Sequence, residues 1–241
     1  MQKLWLVLQN LCLQVGKSRM TKYVINKKFQ TRVERSARVL EIAEAFGLGL
    51  DDREFVIFNE LELEVIDGDV VYITGQSGAG KTVLLRELAS QMKLGGLNVM
   101  NIDDVQFEDK PLIDQIGKDL NEAMKYLSIA GLNDAYLFVR KPTELSDGQK
   151  YRFRLAKLIE SNATVWVADE FMAILDRVSA AAISFNIQKV ARSLGITLLV
   201  ATTHTDLVED LAPTLYIDKR FREKLKIKVL EDGEYKETVS V

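Results

Sequence analysis

The stretch GQSGAGKT, residues 75 to 82, is suited to hold a phosphate. Gly75, Gln76, Ser77, Gly78, Ala79, Gly80, Lys81 and Thr82 fit the pattern G-x-x-x-x-G-K-[ST]. Glycines let successive backbone N–H groups curl around an anion, and a helix starting there turns its positive end toward it. Lys81 reaches the β- and γ-phosphates of a nucleotide, and Thr82 can hold Mg²⁺. A second group suits the same chemistry. The run TVWVADEF ends a buried strand on Asp169 and Glu170. Side chains alternate along a strand, so the two acids point in different directions. Asp169 suits holding Mg²⁺ through water, and Glu170 suits polarising an attacking water.

A third stretch, ELSDGQKYR, reads locally as a helix start. Ser146 can accept from the N–H of Gln149, and Gln149 can reach back, which makes a capping box. An N-capped helix start is also an anion site.

These groups need a scaffold that brings strand ends together. VVYIT (70–74) is a buried-strand run, rich in β-branched and aromatic residues. KTVLLRELASQMK (81–93) has helical apolar spacing. LNVMNI (97–102) predicts a strand, and residues 112–132 predict a helix stopped near Gly131. A helix after LSDGQ, the strand 164–169, the helix 177–194 and the strand 196–202 follow. Strand-helix alternation implies a parallel sheet with helices on its faces. LYI, KIKVL and the turn EDGE predict short edge strands near the C-terminus.

Composition narrows the function classes. The chain has 241 residues and a net charge of -3, which argues against a whole-molecule nucleic-acid binder. One cysteine, Cys12, and one histidine, His204, exclude an internal disulfide and a Cys/His metal cluster. The chain therefore reads as intracellular, and cytoplasmic. The N-terminal run MQKLWLVLQNLCLQVG reads as a buried strand or helix. Gln9, Asn10 and Gln14 break it, and no small-x-small cleavage site follows, so a secretory signal is disfavoured. No apolar stretch approaches the ~20 residues of a membrane span. Residues 17–38 carry eight basic side chains against Glu34 alone, a local net charge of +7. That segment reads as a solvated arm or helix face, or as a docking surface for nucleic acid or an acidic partner.

GQSGAGKT, LSDGQ and TVWVADEF stand in the order and spacing of the ABC-type ATPases, which the chain resembles from about Val39 onward. The resemblance implies an α/β P-loop NTPase fold. Its parts would be a mainly parallel sheet flanked by helices, an antiparallel N-terminal edge and a short helical subdomain at about 107–150. Residues 1–38 would be a separate basic segment, and 39–241 the ATPase domain. Gln106 resembles the family's glutamine loop, which helps hold Mg²⁺ and orient water. Asp176 in AILD resembles its aspartate loop. His204 in LLVATTHTD resembles its histidine switch, which senses the γ-phosphate. Phe46 stands where the family stacks an aromatic loop residue on adenine.

The family works as a head-to-tail dimer, so Ser146, Gly148 and Gln149 would close over ATP held by the partner's phosphate loop. The implied reaction is hydrolysis of Mg-ATP, with Glu170, Gln106, His204 and Lys81 carrying it. The sequence departs from the family in three places. Asp147 replaces the first glycine of the signature, Phe171 replaces a proline, and the interval from Lys81 to Ser146 is short for a transporter subunit. The basic N-terminal stretch and compact core look similar to soluble ABC ATPases associated with a predicted acetyltransferase domain, although no acetyltransferase motif is present. The main expectation is a homodimer driving a soluble protein or nucleic-acid partner through the helical subdomain or residues 17–38. The alternatives are the nucleotide-binding subunit of a membrane transporter, touching the membrane through a separate permease, and a non-hydrolysing nucleotide switch.

Overall fold

The computed structural model describes residues 19–220, 225–231 and 234–239. The expectations for the N-terminal apolar run and for the centre of the EDGE turn lie outside these residues. Residues 22–63 form one compact unit, and the remaining described residues form the other.

In the smaller unit, strands β1 (Met20–Thr31) and β2 (Arg53–Ile66) pair as a two-stranded sheet. Tyr23 and Ile25 are buried on β1, and Phe58, Leu61, Leu63 and Val65 on β2. The alternation on β2 slips by one residue between Phe58 and Leu61. Glu60 takes up the slip with a positive φ of 49°, and its N–H donates to Asn26 Oδ1 at 2.6 Å. The expected basic arm is thus largely a strand. Two of its lysines face glutamates of β2, Lys22 with Glu62 at 2.6 Å and Lys28 with Glu54 at 2.9 Å. Helix α1 (Ala37–Phe46) joins the strands. Ser36 caps it by accepting from the N–H of Val39, and Gly47 ends it in the left-handed region at φ 61°.

The larger unit is built on a sheet of seven strands. These are β3 (Val70–Gly75), β4 (Val99–Asn101), β5 (Val165–Ala168), β6 (Thr197–Ala201), β7 (Leu215–Lys219), β8 (Lys226–Glu231) and β9 (Glu234–Val239). Their order is β4-β5-β6-β3-β7-β8-β9. The first five run parallel, and β8 and β9 are antiparallel. The antiparallel edge is therefore C-terminal, because the N-terminal strands pair with each other instead. Strands β5 and β6 are buried along their length, as is β3 up to Gly75, which explains their unbroken apolar runs.

Helix α2 (Lys81–Leu94) follows β3, and α6 (Arg177–Leu194) crosses from β5 to β6. Between β4 and β5 lie α3 (Leu120–Ile129), α4 (Ala135–Phe138) and α5 (Asp147–Glu160), with α7 (Val208–Leu211) before β7. Two expected elements are shorter than their apolar patterns. Strand β4 stops at Asn101, whose side chain accepts from the N–H of Asp103 and starts a 3₁₀ turn. The helix expected over 112–132 is split into a 3₁₀ turn at Leu112–Asp114 and α3. Gly117 breaks it at φ 73°, where a Cβ would lie 2.4 Å from the N of Ala123. Asp119 then caps the new start by accepting from the N–H of Glu122 at 2.8 Å.

Candidate nucleotide site

The phosphate-loop sequence leaves the end of β3 and enters α2. Gly75 has a positive φ of 135°, and a Cβ there would lie 1.8 Å from the carbonyl oxygen of Lys219 on β7. No side chain fits, so glycine is required. Gly78 and Gly80 also have positive φ, at 74° and 98°. A Cβ on Gly78 would meet nothing within 4 Å, so the turn has open space on that side. Gly80 begins α2 with no side-chain cap, which leaves the helix start for an outside acceptor. Lys81 is buried, and its Nζ donates to the carbonyl of Gln76 at 2.9 Å, folding back over the loop. Thr82 is half-buried in the first turn of α2.

Strand order brings the remaining groups to the same edge. β6 lies between β5 and β3, with Ile73 level with Ala201 and Ala168 level with Val200. The N–H of Thr202 donates to the carbonyl of Ile73 at 3.0 Å, and the N–H of Phe171 to that of Ala201 at 2.8 Å. The phosphate loop, the Asp169–Glu170 pair and the loop bearing His204 thus emerge at the carboxyl ends of three neighbouring parallel strands. That edge is where open α/β sheets bind ligands.

The turn carrying the acids is strained. Glu170 and Met172 have positive φ of 46° and 59°, a conformation that costs about 1–3 kcal/mol each outside glycine. The cost is offset locally. The carboxylate of Asp169 accepts from the N–H of Glu170 at 3.0 Å, and Phe171 and Met172 are buried. The Glu170 side chain is exposed and Asp169 half-buried. Phe171, where the family carries proline, uses its N–H in the bond to Ala201, a bond that proline could not make.

Helix α5 begins with the expected capping box. Ser146 Oγ accepts from the N–H of Gln149 at 3.3 Å, and Gln149 Oε1 accepts from the N–H of Ser146 at 3.0 Å. Asp147 projects outward, with its side chain 80% exposed and Oδ1 3.7 Å from Lys150 Nζ. Gly148 packs toward the aspartate-loop segment, where a Cβ would stand 3.4 Å from Leu175 Cδ2. Asp176 caps α6 by accepting from the N–H of Ser179 at 2.9 Å. Bonds from Ser179 hold its carboxyl below the usual range, with Arg152 adding to the effect.

Two expected site residues stand less engaged. Gln106 is exposed, its amide donating to the carbonyl of Asp104 at 3.4 Å. Phe46 is the last residue of α1 and is 73% exposed. The aromatic loop expected around it is a helix end.

Three residues carry contacts that motif reading passed over. Tyr151 of α5 accepts from the N–H of Met172 at 3.0 Å. Arg152 donates to Ser179 Oγ at 3.0 Å and to the carbonyl of Gly131 at 3.3 Å, tying α5 to the start of α6. Tyr72 of β3 donates to the carbonyl of His204 at 2.6 Å.

No family model matches the chain. The cytochrome c biogenesis ATP-binding export protein CcmA of Aliivibrio fischeri is 28% identical over 183 residues, covering 65% of this chain and 89% of that protein. The sulfate/thiosulfate import ATP-binding protein CysA of Caulobacter vibrioides is 24% identical over 196 residues, covering 66% of this chain and 56% of its own length. Among solved structures, the ATP-binding cassette MJ0796, a dimer in a post-hydrolysis state bound to ADP and Pi, matches with a TM-score of 0.62. The match has 15% identity and covers 88% of this chain and 99% of that one. The chain resembles ABC-type ATPase domains. It has the mostly parallel sheet with flanking helices that its motifs imply. The likeness to CcmA reaches most of that protein, whereas the chain spans little more than half of CysA. Among the described residues no helix is long and apolar enough to cross a membrane.

Proposed function

We propose that this ABC-type domain binds and hydrolyses Mg-ATP at composite sites of a head-to-tail dimer, and that it powers a membrane permease. The observation that carries the ATPase reading is the shared strand edge. One edge bears the phosphate loop, the acid pair and the chain's only histidine. The residues fit both ligands. The loop has open space at Gly78 and an uncapped helix start for phosphates. Thr82 hydroxyl, Asp169 carboxylate and Gln106 amide form an oxygen donor set suited to a hard cation. Those residues would hold Mg²⁺, which would supply positive charge against that of the phosphates.

Lys81 moves from the carbonyl of Gln76 to the phosphates. Glu170 orients and polarises the attacking water, helped by Gln106. His204 senses the γ-phosphate. Ser146 and the N–H of Gly148 meet ATP across the dimer. Asp176, at the start of α6, lines the same closure. Glu170→Gln is expected to bind ATP and hydrolyse it about 10²–10⁴-fold more slowly, the range for loss of a general base. Turnover at the wild-type rate would contradict that role.

The named functions of CcmA and CysA, export and import, support a permease partner over a soluble one. A soluble partner rests on the basic stretch, where two lysines already face glutamates. The segment between β4 and β5 offers exposed Leu120, Met124, Tyr136 and Val139 for docking. A photo-crosslinker at Tyr136, used in whole cells, is expected to capture an integral membrane polypeptide. Capture of soluble polypeptide or nucleic acid alone would contradict the permease.

A further inference from the structure

Tyr72 lies on β3, three residues before Gly75, and is fully buried. A strand of this kind asks only for an apolar side chain, and phenylalanine would fill the space. The hydroxyl therefore needs a reason, because a buried O–H must find a partner. Its partner is the backbone of His204, whose carbonyl accepts at 2.6 Å. The hydroxyl thus fastens the loop that bears His204 to the strand that carries the phosphate loop.

The other sides of that segment are held as well. The N–H of His204 donates to Thr202 Oγ1 at 3.3 Å, Asp206 pairs with Arg177 at the start of α6, and Leu207 is buried. The tyrosine is itself braced by Tyr216 of β7, with ring centroids 5.7 Å apart. Burial and the neighbouring Tyr216 push its hydroxyl pKa far up, so it stays a donor.

We infer that Tyr72 is a positioning residue for His204, setting the place of the imidazole relative to the phosphate loop through the hydrogen bond to the His204 carbonyl. The inference rests on the proposed γ-phosphate role of His204. It adds a direct link from the phosphate-loop strand to the histidine loop, so that a shift of either is passed to the other.

The test is Tyr72→Phe, which keeps the ring and removes the bond. Tyr216→Phe serves as a control, since its hydroxyl accepts from Thr74 Oγ1 at 3.0 Å and the change keeps the ring that braces Tyr72. The chain's single histidine gives an unambiguous readout in untagged protein. In ¹³C-histidine-labelled, nucleotide-free protein, Tyr72→Phe is expected to shift and broaden the His204 ring resonance, and Tyr216→Phe to leave it in place. An unmoved resonance in Tyr72→Phe overturns the inference whether or not the wild type hydrolyses ATP. In ATPase assays Tyr72→Phe is expected to lower kcat about tenfold, on the scale of one hydrogen bond, while KM for ATP stays within about twofold. In a His204→Ala background the same change is expected to have no further effect on kcat. A full tenfold loss in that background would make Tyr72 merely structural and overturn the inference. A wild type without turnover would instead remove the ATPase reading, and the resonance would still decide the positioning.

Discussion

The hydroxyl of Tyr151 accepts from the backbone N–H of Met172 at 3.0 Å. The bond joins α5, which starts with the signature, to the turn that carries Asp169 and Glu170. Met172 sits at a positive φ of 59°, so the bond pins a strained residue in place. Burial raises the Tyr151 hydroxyl pKa, which keeps the group neutral. Tyr151→Phe leaves a buried N–H unpaired. The expected cost is about 1–3 kcal/mol of stability, read as a lower urea midpoint with an unchanged slope. An unchanged midpoint would mean that the bond contributes nothing net.

Asp147 stands at the first position of α5, 80% exposed and 3.7 Å from Lys150. The exposed pair is worth little to stability. In a closed dimer, however, the carboxylate would approach a triphosphate. Asp147→Gly is therefore expected to tighten ATP-driven dimerisation by several-fold while shifting the melting temperature by at most a few degrees. Analytical ultracentrifugation of the Glu170→Gln background with ATP measures this. Equal dimerisation with and without the carboxylate would show that it turns away from the interface.

Asp176 titrates below the usual carboxylate range because Ser179 bonds its charged form, with Arg152 nearby. A depressed native pKa adds stability that is complete above the unfolded value of about 3.9. That stability is lost as pH falls through the native value. Asp176→Asn is expected to destabilise the protein near pH 6, and the gap to wild type should close as the pH falls below the unfolded value and through the native one. A gap that is constant across this range would assign the loss to packing rather than charge.

The phosphate loop, the acid pair and the capping box were legible because each is local. Spacing of a few residues carries the chemistry, and β3, β5 and β6 announce themselves as buried apolar runs. The break at Gly117 was hidden by the apolar pattern of 112–132, although Gly117 and Asp119 together carried the stop and restart. Helix α1 was written in SARVLEIAEAFG, with a serine cap, helical apolar spacing and a closing glycine. The match of Phe46 to a loop residue outweighed those cues. Lysines on β1 mask the alternation of the buried Tyr23 and Ile25. The Tyr72–His204 bond spans 132 positions and arises only from the pairing of β3 with β6. No local pattern could have shown it.

The composite dimer site is the centre of the account, and mixing two inactive variants tests it most directly. Lys81→Ala subunits lack the phosphate contact, and Ser146→Ala subunits lack the signature contact. If Ser146 were only a helix cap, its loss would cost ~1 kcal/mol of stability and leave hydrolysis intact. In a head-to-tail dimer of the two variants, one site receives both lesions and the other receives neither. Each variant alone is expected to be inactive, and the mixture to regain part of the wild-type ATPase rate. A Ser146→Ala protein that hydrolyses ATP at the wild-type rate as a monomer, with no gain on mixing, would contradict the composite site.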